Sequence, residues 1–222
     1  MTISVVIPAL DEASCIRQAV ESAVGPDVEV IVVDGGSQDE TVRLAQDAGA
    51  WVLPAERGRA RQLRVGGQRS SGDIVLFLHA DTRLSAGWQA DVARVFEDPA
   101  CSGGAFAFRF AERGFRERWI EAWVAVRIAL FRLPYGDQAL FMRRTVLEGM
   151  GGVPIVPMME DLDLVRGIKR TGRLVLLDRP ATTSSRRYRS RGGLRTILHH
   201  LVALVGWSLD LDRARLARWV GR

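Results

Sequence analysis

The acids of this chain fall where they could act on a phosphorylated donor and a hydroxyl acceptor. Asp81 follows the apolar run Ile74–Leu78 after His79 and Ala80. A carboxylate just past such a strand faces the ligand crevice of a parallel sheet. A divalent cation could bridge it to a diphosphate there, since hard cations favour one or two carboxylates plus substrate phosphates over all-protein cages. The plainer reading makes Asp81 a cap for the turn before the next helix. Glu160-Asp161-Leu162-Asp163 puts three acids in four positions. A carboxylate at a helix start beside a pocket serves as general base for a hydroxyl nucleophile, or simply stabilises the helix dipole.

Two further turns share the sheet edge that Asp81 implies. Ile3–Ile7 runs into Pro8-Ala9-Leu10-Asp11-Glu12, and Val30–Val33 into Asp34-Gly35-Gly36-Ser37. The glycines let backbone approach a ligand closely, and the helix that follows points free N–H groups the same way. This is not the GxGxxG fingerprint of dinucleotide binding. Asp11 and Glu12 read as first-turn acids of a helix, and Ser37 with Glu40 as a capping box. Asp137-Gln138 follows the turn-like Pro134-Tyr135-Gly136 and either lines an acceptor pocket or ends a loop. Arg186, Arg187, Arg189 and Arg191 form a cluster suited to bidentate phosphate contact, or a solvated or membrane-surface patch. His199 and His200 have no acid partner at metal spacing and read as structural.

The elements that position these residues alternate. Strands are expected at Ile3–Ile7, Val28–Val33, Trp51–Leu53 and Ile74–Leu78, and helices at Glu12–Val24, Asp39–Ala48, Arg59–Arg69 and Gly87–Glu97. Continuous apolar strands are those covered on both faces, and this alternation implies a parallel sheet with right-handed crossovers. After about residue 100 the pattern changes. Strands are expected at Gly103–Phe110, Gln138–Met142 and Leu174–Leu177, and helices at Phe115–Phe131 and Asp161–Thr171. The polar stretch Thr182–Arg195 then leads into a helical tail. No linker separates the halves, so 1–222 reads as one domain. Within it, residues 1–100 carry the strand–helix alternation, 101–190 the changed pattern and 191–222 the tail.

Composition narrows the class. At 47% hydrophobic and 26% charged the chain is an ordinary globular sequence. Its net charge of +5 is carried almost wholly by arginine, Lys169 being the only lysine. No aromatic-basic motif accompanies that excess, so nucleic acid is not an expected partner. Cys15 and Cys101 stand in unrelated contexts, which speaks against a metal or disulfide scaffold and for a reducing, cytoplasmic setting. A strand within three residues of the N-terminus leaves no room for a signal peptide, and no apolar run reaches the ~20 residues of a membrane span.

Taken together, these motifs resemble the family 2 glycosyltransferases, inverting enzymes of the GT-A fold, from Ser4 to about Tyr188. Ser4–Glu12 resembles the family's first strand and turn, Val30–Thr41 its second strand and base-binding turn, Gly72–Thr82 the strand into the DXD-type motif, and Glu160-Asp161 its ED motif. Gly58-Arg59-Ala60-Arg61-Gln62 is similar to a small soluble bacterial subgroup. The resemblance implies an α/β fold with a Rossmann-like, mostly parallel central sheet. It implies that Pro8, Ala9, Glu12, Asp34 and Gly35 hold a nucleotide-sugar, that Ala80 and Asp81 lie at its diphosphate, and that Asp81, assisted by His79, holds Mg2+ or Mn2+. Asp161, with Glu160 beside it, becomes the general base. Asp137, Gln138 and Arg187 fall on the acceptor and diphosphate side.

The chain also departs from that pattern. The first DXD acid is His79, the frequent Asp-Asp pair reads Asp34-Gly35, an Asn before the third-helix glycine is Arg64, and the Gln-x-x-Arg-Trp motif of processive members is absent. Loss of that motif points to single-sugar transfer. Rival readings are nucleotidyl transfer, which wants a glycine-rich basic loop where Pro8–Glu12 stands, and a non-catalytic sugar-nucleotide or membrane-surface module. The apolar helix Phe115–Phe131 and the stripe Leu194, Ile197, Leu198, Leu201 and Val205 leave several partners open. These are a lipid-linked acceptor with peripheral contact at the inner membrane face, packing on the body, and a homodimer.

Overall fold

The computed structural model describes residues 1–186 and 193–219, with backbone alone over 193–200. Strands β1 (Ile3–Ala9), β2 (Val28–Asp34) and β3 (Trp51–Pro54) lead into helices α1 (Ile16–Ala23), α2 (Thr41–Asp47) and α3 (Arg59–Arg69). Next come β4 (Ile74–Phe77), β5 (Thr82–Leu84), α4 (Trp88–Val95), β6 (Cys101–Phe110) and α5 (Phe115–Phe131). A 3-10 turn at Gly136–Gln138 precedes β7 (Phe141–Arg143), α6 (Arg144–Gly149), α7 (Glu160–Thr171) and β8 (Arg173–Thr183). The helical tail is α8 (Gly193–Ser208) and α9 (Arg213–Trp219).

One sheet runs through both halves in the order β3-β2-β1-β4-β7-β6-β8-β5. The strands of the first half pair in parallel, with Ala9 opposite Asp34 and Val6 opposite Phe77, so their carboxyl ends share an edge. The second half is mixed: β6 pairs with β8 in parallel, but β4·β7, β6·β7 and β5·β8 are antiparallel.

The apolar strands divide their residues between two cores. Val5, Ile7, Val30, Val32, Leu76 and Leu78 point to the face covered by α1, where Ile16 and Val20 meet them. Val6, Ile31, Val33, Val75 and Phe77 point to the other, under α3, α6 and α7. Gly66 sits where α3 crosses β1, and a Cβ there would collide with the Val6 side chain. Among the described residues no helix is long and apolar enough to cross a membrane.

Several boundaries differ from expectation. The capping box at Ser37 does not form: α2 starts at Thr41, and the Ser37 hydroxyl donates to Asp34 at 2.5 Å instead. Asp11 and Glu12 do not lie in the first turn of a helix. Asp11 adopts φ 53° in a turn, and α1 begins at Ile16. The strand expected from Gln138 starts at Phe141, since Gly136–Gln138 turns sharply. Two short elements lacked a periodic signal, β5 and α6.

Candidate active site

The first two turns are stitched together. Asp11 accepts the Gln38 N–H at 2.8 Å, Ser37 Oγ accepts the Asp11 N–H at 2.9 Å, and Thr41 Oγ1 accepts the Glu12 N–H at 2.8 Å. The Asp34 carboxylate accepts the Gly36 N–H at 2.9 Å and the Ser37 N–H at 3.0 Å, so it shapes its own loop. Beneath them the buried Gln62 amide donates to Ala9 O at 2.7 Å and Val33 O at 2.8 Å, and its side chain lies against Gly35. These bonds hold the ends of β1 and β2 at one level.

A cleft of about 850 Å3 opens at this edge. It brings together Pro8, Ala9, Glu12, His79, Ala80 and Glu160, with Gly58–Gln62 on one wall and Ile155–Pro157 on another. Asp34 and Gly35 stand behind it, in the stitched turns. Asp81 is buried just beyond Ala80, and its carbonyl accepts the Ser184 N–H at 3.0 Å where β5 meets the end of β8.

Arg59, the first residue of α3, joins the two halves of the site. Its Nε donates to Glu160 Oε1, Nη2 lies 3.5 Å from Asp161 Oδ2, and Nη1 lies 3.1 Å from His79 Nε2. A guanidinium only donates, so His79 Nε2 accepts and spends its lone pair on Arg59. Glu160 is 2% exposed and committed to the arginine. Asp161 Oδ2 also accepts the Gly136 N–H at 2.9 Å, while Oδ1 accepts the Leu162 N–H at 2.9 Å. Gly136 fills the gap: a Cβ there would lie 3.0 Å from His79 Nε2 and 3.3 Å from Asp161 Oδ2.

The turn after Gly136 carries the expected acceptor pair. Gln138 is buried, its amide donating to Phe106 O at 2.9 Å and accepting from Tyr135 N and Arg127 Nη2, each at 3.3 Å. Asp137 keeps some exposed surface, but its Oδ1 is buried and has no hydrogen-bond partner among the described residues. Burial raises its carboxyl to about 6, and the negative charges of Asp161 and Asp81 push the same way against Arg127 and Arg59. Arg127, from α5, stacks its guanidinium 3.4 Å over the Tyr135 ring.

Of the expected arginine cluster, Arg186 follows β8 and reaches back across the site. It donates to Glu12 Oε2 at 2.5 Å and to Ser14 Oγ at 2.7 Å. Arg187, Arg189 and Arg191 lie outside the described residues. His199 and His200 fall on α8, where only backbone is described.

Among the described residues no group of three His, Cys, Asp or Glu side chains could hold a metal by itself. At this edge Asp81 could offer a carboxylate to a metal, whereas His79 Nε2 is turned to Arg59. That suits a hard cation whose remaining ligands are phosphate oxygens and water.

The profile described as Glycosyl transferase family 2 matches residues 4–149, which carry β1 through α6. The chain belongs to glycosyl transferase family 2. Its relatives include an uncharacterised protein of Mycobacterium tuberculosis, 31% identical over 121 residues covering 50% of this chain and 37% of that one. They also include a glucosyl-3-phosphoglycerate synthase of Mycolicibacterium paratuberculosis, 39% identical over 94 residues covering 36% and 28%. The match thus spans about a third of the length of these curated relatives. Among solved structures, M. tuberculosis glucosyl-3-phosphoglycerate synthase in complex with Mn2+, UDP and glucosyl-3-phosphoglycerate superposes with a TM-score of 0.65. It is 23% identical and covers 91% of this chain and 79% of that one. S. aureus TarS superposes with a TM-score of 0.66 at 17% identity, covering 99% of this chain and 69% of that one. These likenesses establish the fold, the GT-A α/β architecture.

For a family 2 glycosyl transferase, three residues of this site carry more than sequence reasoning assigned them: Arg59, Gln62 and Arg127. Arg59 and Gln62 lie within a recognised motif, but nothing in their spacing says what they touch. Arg127 did leave a signal, a lone charge in the apolar second half of its helix.

Proposed function

We propose that this chain moves a single sugar from a uridine-diphosphate sugar to a hydroxyl acceptor, with inversion at the anomeric carbon. One observation carries the reading. Arg59 ties Glu160 and Asp161 of α7 to His79 at the end of β4, so the acids of the second half face the strand ends of the first. Residues 1–100 then serve as the donor half of one domain and 101–190 as its acceptor half. Pro8, Ala9 and Glu12 line the nucleoside end, with Asp34 and Gly35 shaping the wall behind them. Asp81, with Ala80 before it, stands at the diphosphate. Mg2+ or Mn2+ held by Asp81 would supply charge neutralisation on the departing nucleoside diphosphate. Support for the metal and the uridine comes from the Mn2+- and UDP-bound structure of the M. tuberculosis relative.

Asp161 takes the acceptor proton, and Glu160 acts through Arg59 to hold it in place. Asp137 lines the acceptor side and Gln138 fastens the turn, while Arg187, outside the described residues, is assigned to the diphosphate by sequence resemblance alone. A lipid-linked acceptor, met from the cytoplasmic side of the membrane, is the reading that the exposed apolar residues of α5 support. Incubating the chain with UDP-sugars and Mn2+ tests the core of this. Slow donor hydrolysis without acceptor, abolished in Asp81→Ala, is expected. A protein that binds UDP but never releases sugar would be a binding module.

A further inference from the structure

Helix α5 has two apolar faces, and among the described residues only one of them is packed against the body. Ile120, Val124 and Ile128 pack inward on Phe108 and Phe110 of β6, with Glu117 and Arg127 buried. On the outside, Phe115, Trp119, Trp123, Val126 and Leu130 follow one another every three or four residues, a continuous helical stripe. Their exposures are 87%, 50%, 38%, 50% and 70%. A helix apolar all round belongs inside something, and contiguous apolar surface of this kind marks an interaction site.

The charges beside the stripe say what it meets. Arg113, Arg116, Arg118 and Arg132 are exposed. No exposed acid lies between Arg113 and Arg132: Glu117 is buried, and the half-buried Glu121 accepts the Phe110 N–H at 2.7 Å. The geometry points to the outer face of α5 as a docking surface for an anionic lipid membrane. The aromatic stripe enters the acyl boundary and the arginines stay at the headgroups. Tryptophan is enriched at that boundary, and an apolar aromatic face flanked by arginines is the pattern of a helix lying in the plane of the interface. A second copy fits the same face poorly. Two α5 helices packed antiparallel about a two-fold set Arg116 and Arg118 of one copy toward Arg132 of the other, with no acid between. The inner face of α5 holds the acceptor turn through Arg127, Tyr135 and Gln138. Docking would therefore set that turn at the lipid surface, a consequence that rests on the transferase reading although docking itself does not.

Sedimentation of the full chain with vesicles of phosphatidylcholine, with and without phosphatidylglycerol, tests this. The chain is expected to pellet with the anionic vesicles and less so in high salt. Arg116→Gln/Arg118→Gln lowers the partition coefficient about 25-fold, at about fivefold per arginine. Trp119→Ser/Trp123→Ser lowers it about tenfold or more. The arginine pair is exposed, so its melting curve stays at the wild-type value; each tryptophan is partly covered, so Trp119→Ser/Trp123→Ser is assayed below its own melting transition, and UDP-induced stabilisation in solution stays at the wild-type value in both. If UDP stabilises no form while pelleting persists, the transferase reading fails and docking stands. A wild type that stays in the supernatant, or variants that pellet like it, overturns the proposal. So does a concentration-dependent dimer in light scattering that Trp119→Ser/Trp123→Ser dissolves, since the second copy would then own the face.

Discussion

Asp161 and Asp137 sit on either side of Gly136 and answer to different physics. Asp161 is held by the Gly136 N–H and by Arg59 at Oδ2 and by the Leu162 N–H at Oδ1, so Asp161→Asn keeps the shape and, with its oxygen at the Oδ2 position, the Gly136 and Arg59 contacts, but gives up the Leu162 bond and cannot take a proton. Donor binding by calorimetry is expected to be unchanged, and turnover to fall about 10²–10⁴-fold, the usual worth of a general base. Near-normal turnover would remove Asp161 from that role. Asp137 holds its proton more tightly folded than unfolded, its carboxyl being pushed up to about 6. Between pH about 4 and about 6 the folded chain keeps a proton that the unfolded chain has lost, so this group's contribution falls as pH rises through that window and is flat above it. Asp137→Asn is therefore expected to stabilise the protein at pH 7.5 by up to about 3 kcal/mol, with the gain vanishing near pH 4. Urea titrations at the two pH values measure it, and an equal effect at both would show that burial of the charge is not the cause. Arg59→Met leaves the buried Glu160 without its cation and should cost about 3 kcal/mol of stability. Arg59→Lys should restore only part of this, because an ammonium cannot serve three partners in one plane.

Among the elements, the α3–β1 crossing and the β5–β8 pairing set the site's shape. Gly66 lets α3 lie on Val6 and so brings Arg59 and Gln62 to the strand ends. Gly66→Ala is expected to push α3 outward, costing about 1–3 kcal/mol as overpacking does, and to weaken nucleotide binding along with stability. A variant that melts normally would mean the helix has room to shift. The short β5 anchors the chain just beyond Asp81: Thr82 Oγ1 lies 3.0 Å from Thr183 Oγ1, buried between the two strands. The same pairing delivers Arg186 to Glu12, an ion pair with one partner half exposed, whose worth to stability is at most about 1 kcal/mol. Its effect is better sought in donor access than in melting temperature.

For the whole molecule, the measurable consequence is linkage between ligand and fold. UDP at 100 times its dissociation constant stabilises a folded protein by about 2.7 kcal/mol, which for a chain of 222 residues raises the melting temperature by roughly 5–10 °C. The shift is expected to require Mn2+ or Mg2+ and to be absent in Asp81→Ala. A metal-independent shift would place the diphosphate away from Asp81.

The strands of the first half and their carboxyl-end turns were legible in the sequence alone, because a strand buried on both faces must be apolar throughout and must stop where polar turn residues begin. So were Asp81 and the Glu160-Asp161 pair, whose positions depend on local element boundaries. Chain order could not decide which acids would meet. Arg59 and Glu160 are separated by 101 residues, and only the folding of α3 and α7 onto one face of the sheet joins them. Nor could it decide that Ser37 would bond Asp34 rather than cap a helix, that Gln138 would turn inward, or that the outer stripe of α5 would stay bare. Each of these is settled by competition among neighbours distant in sequence, for a hydrogen bond or for a face to bury against, and that competition exists only in three dimensions.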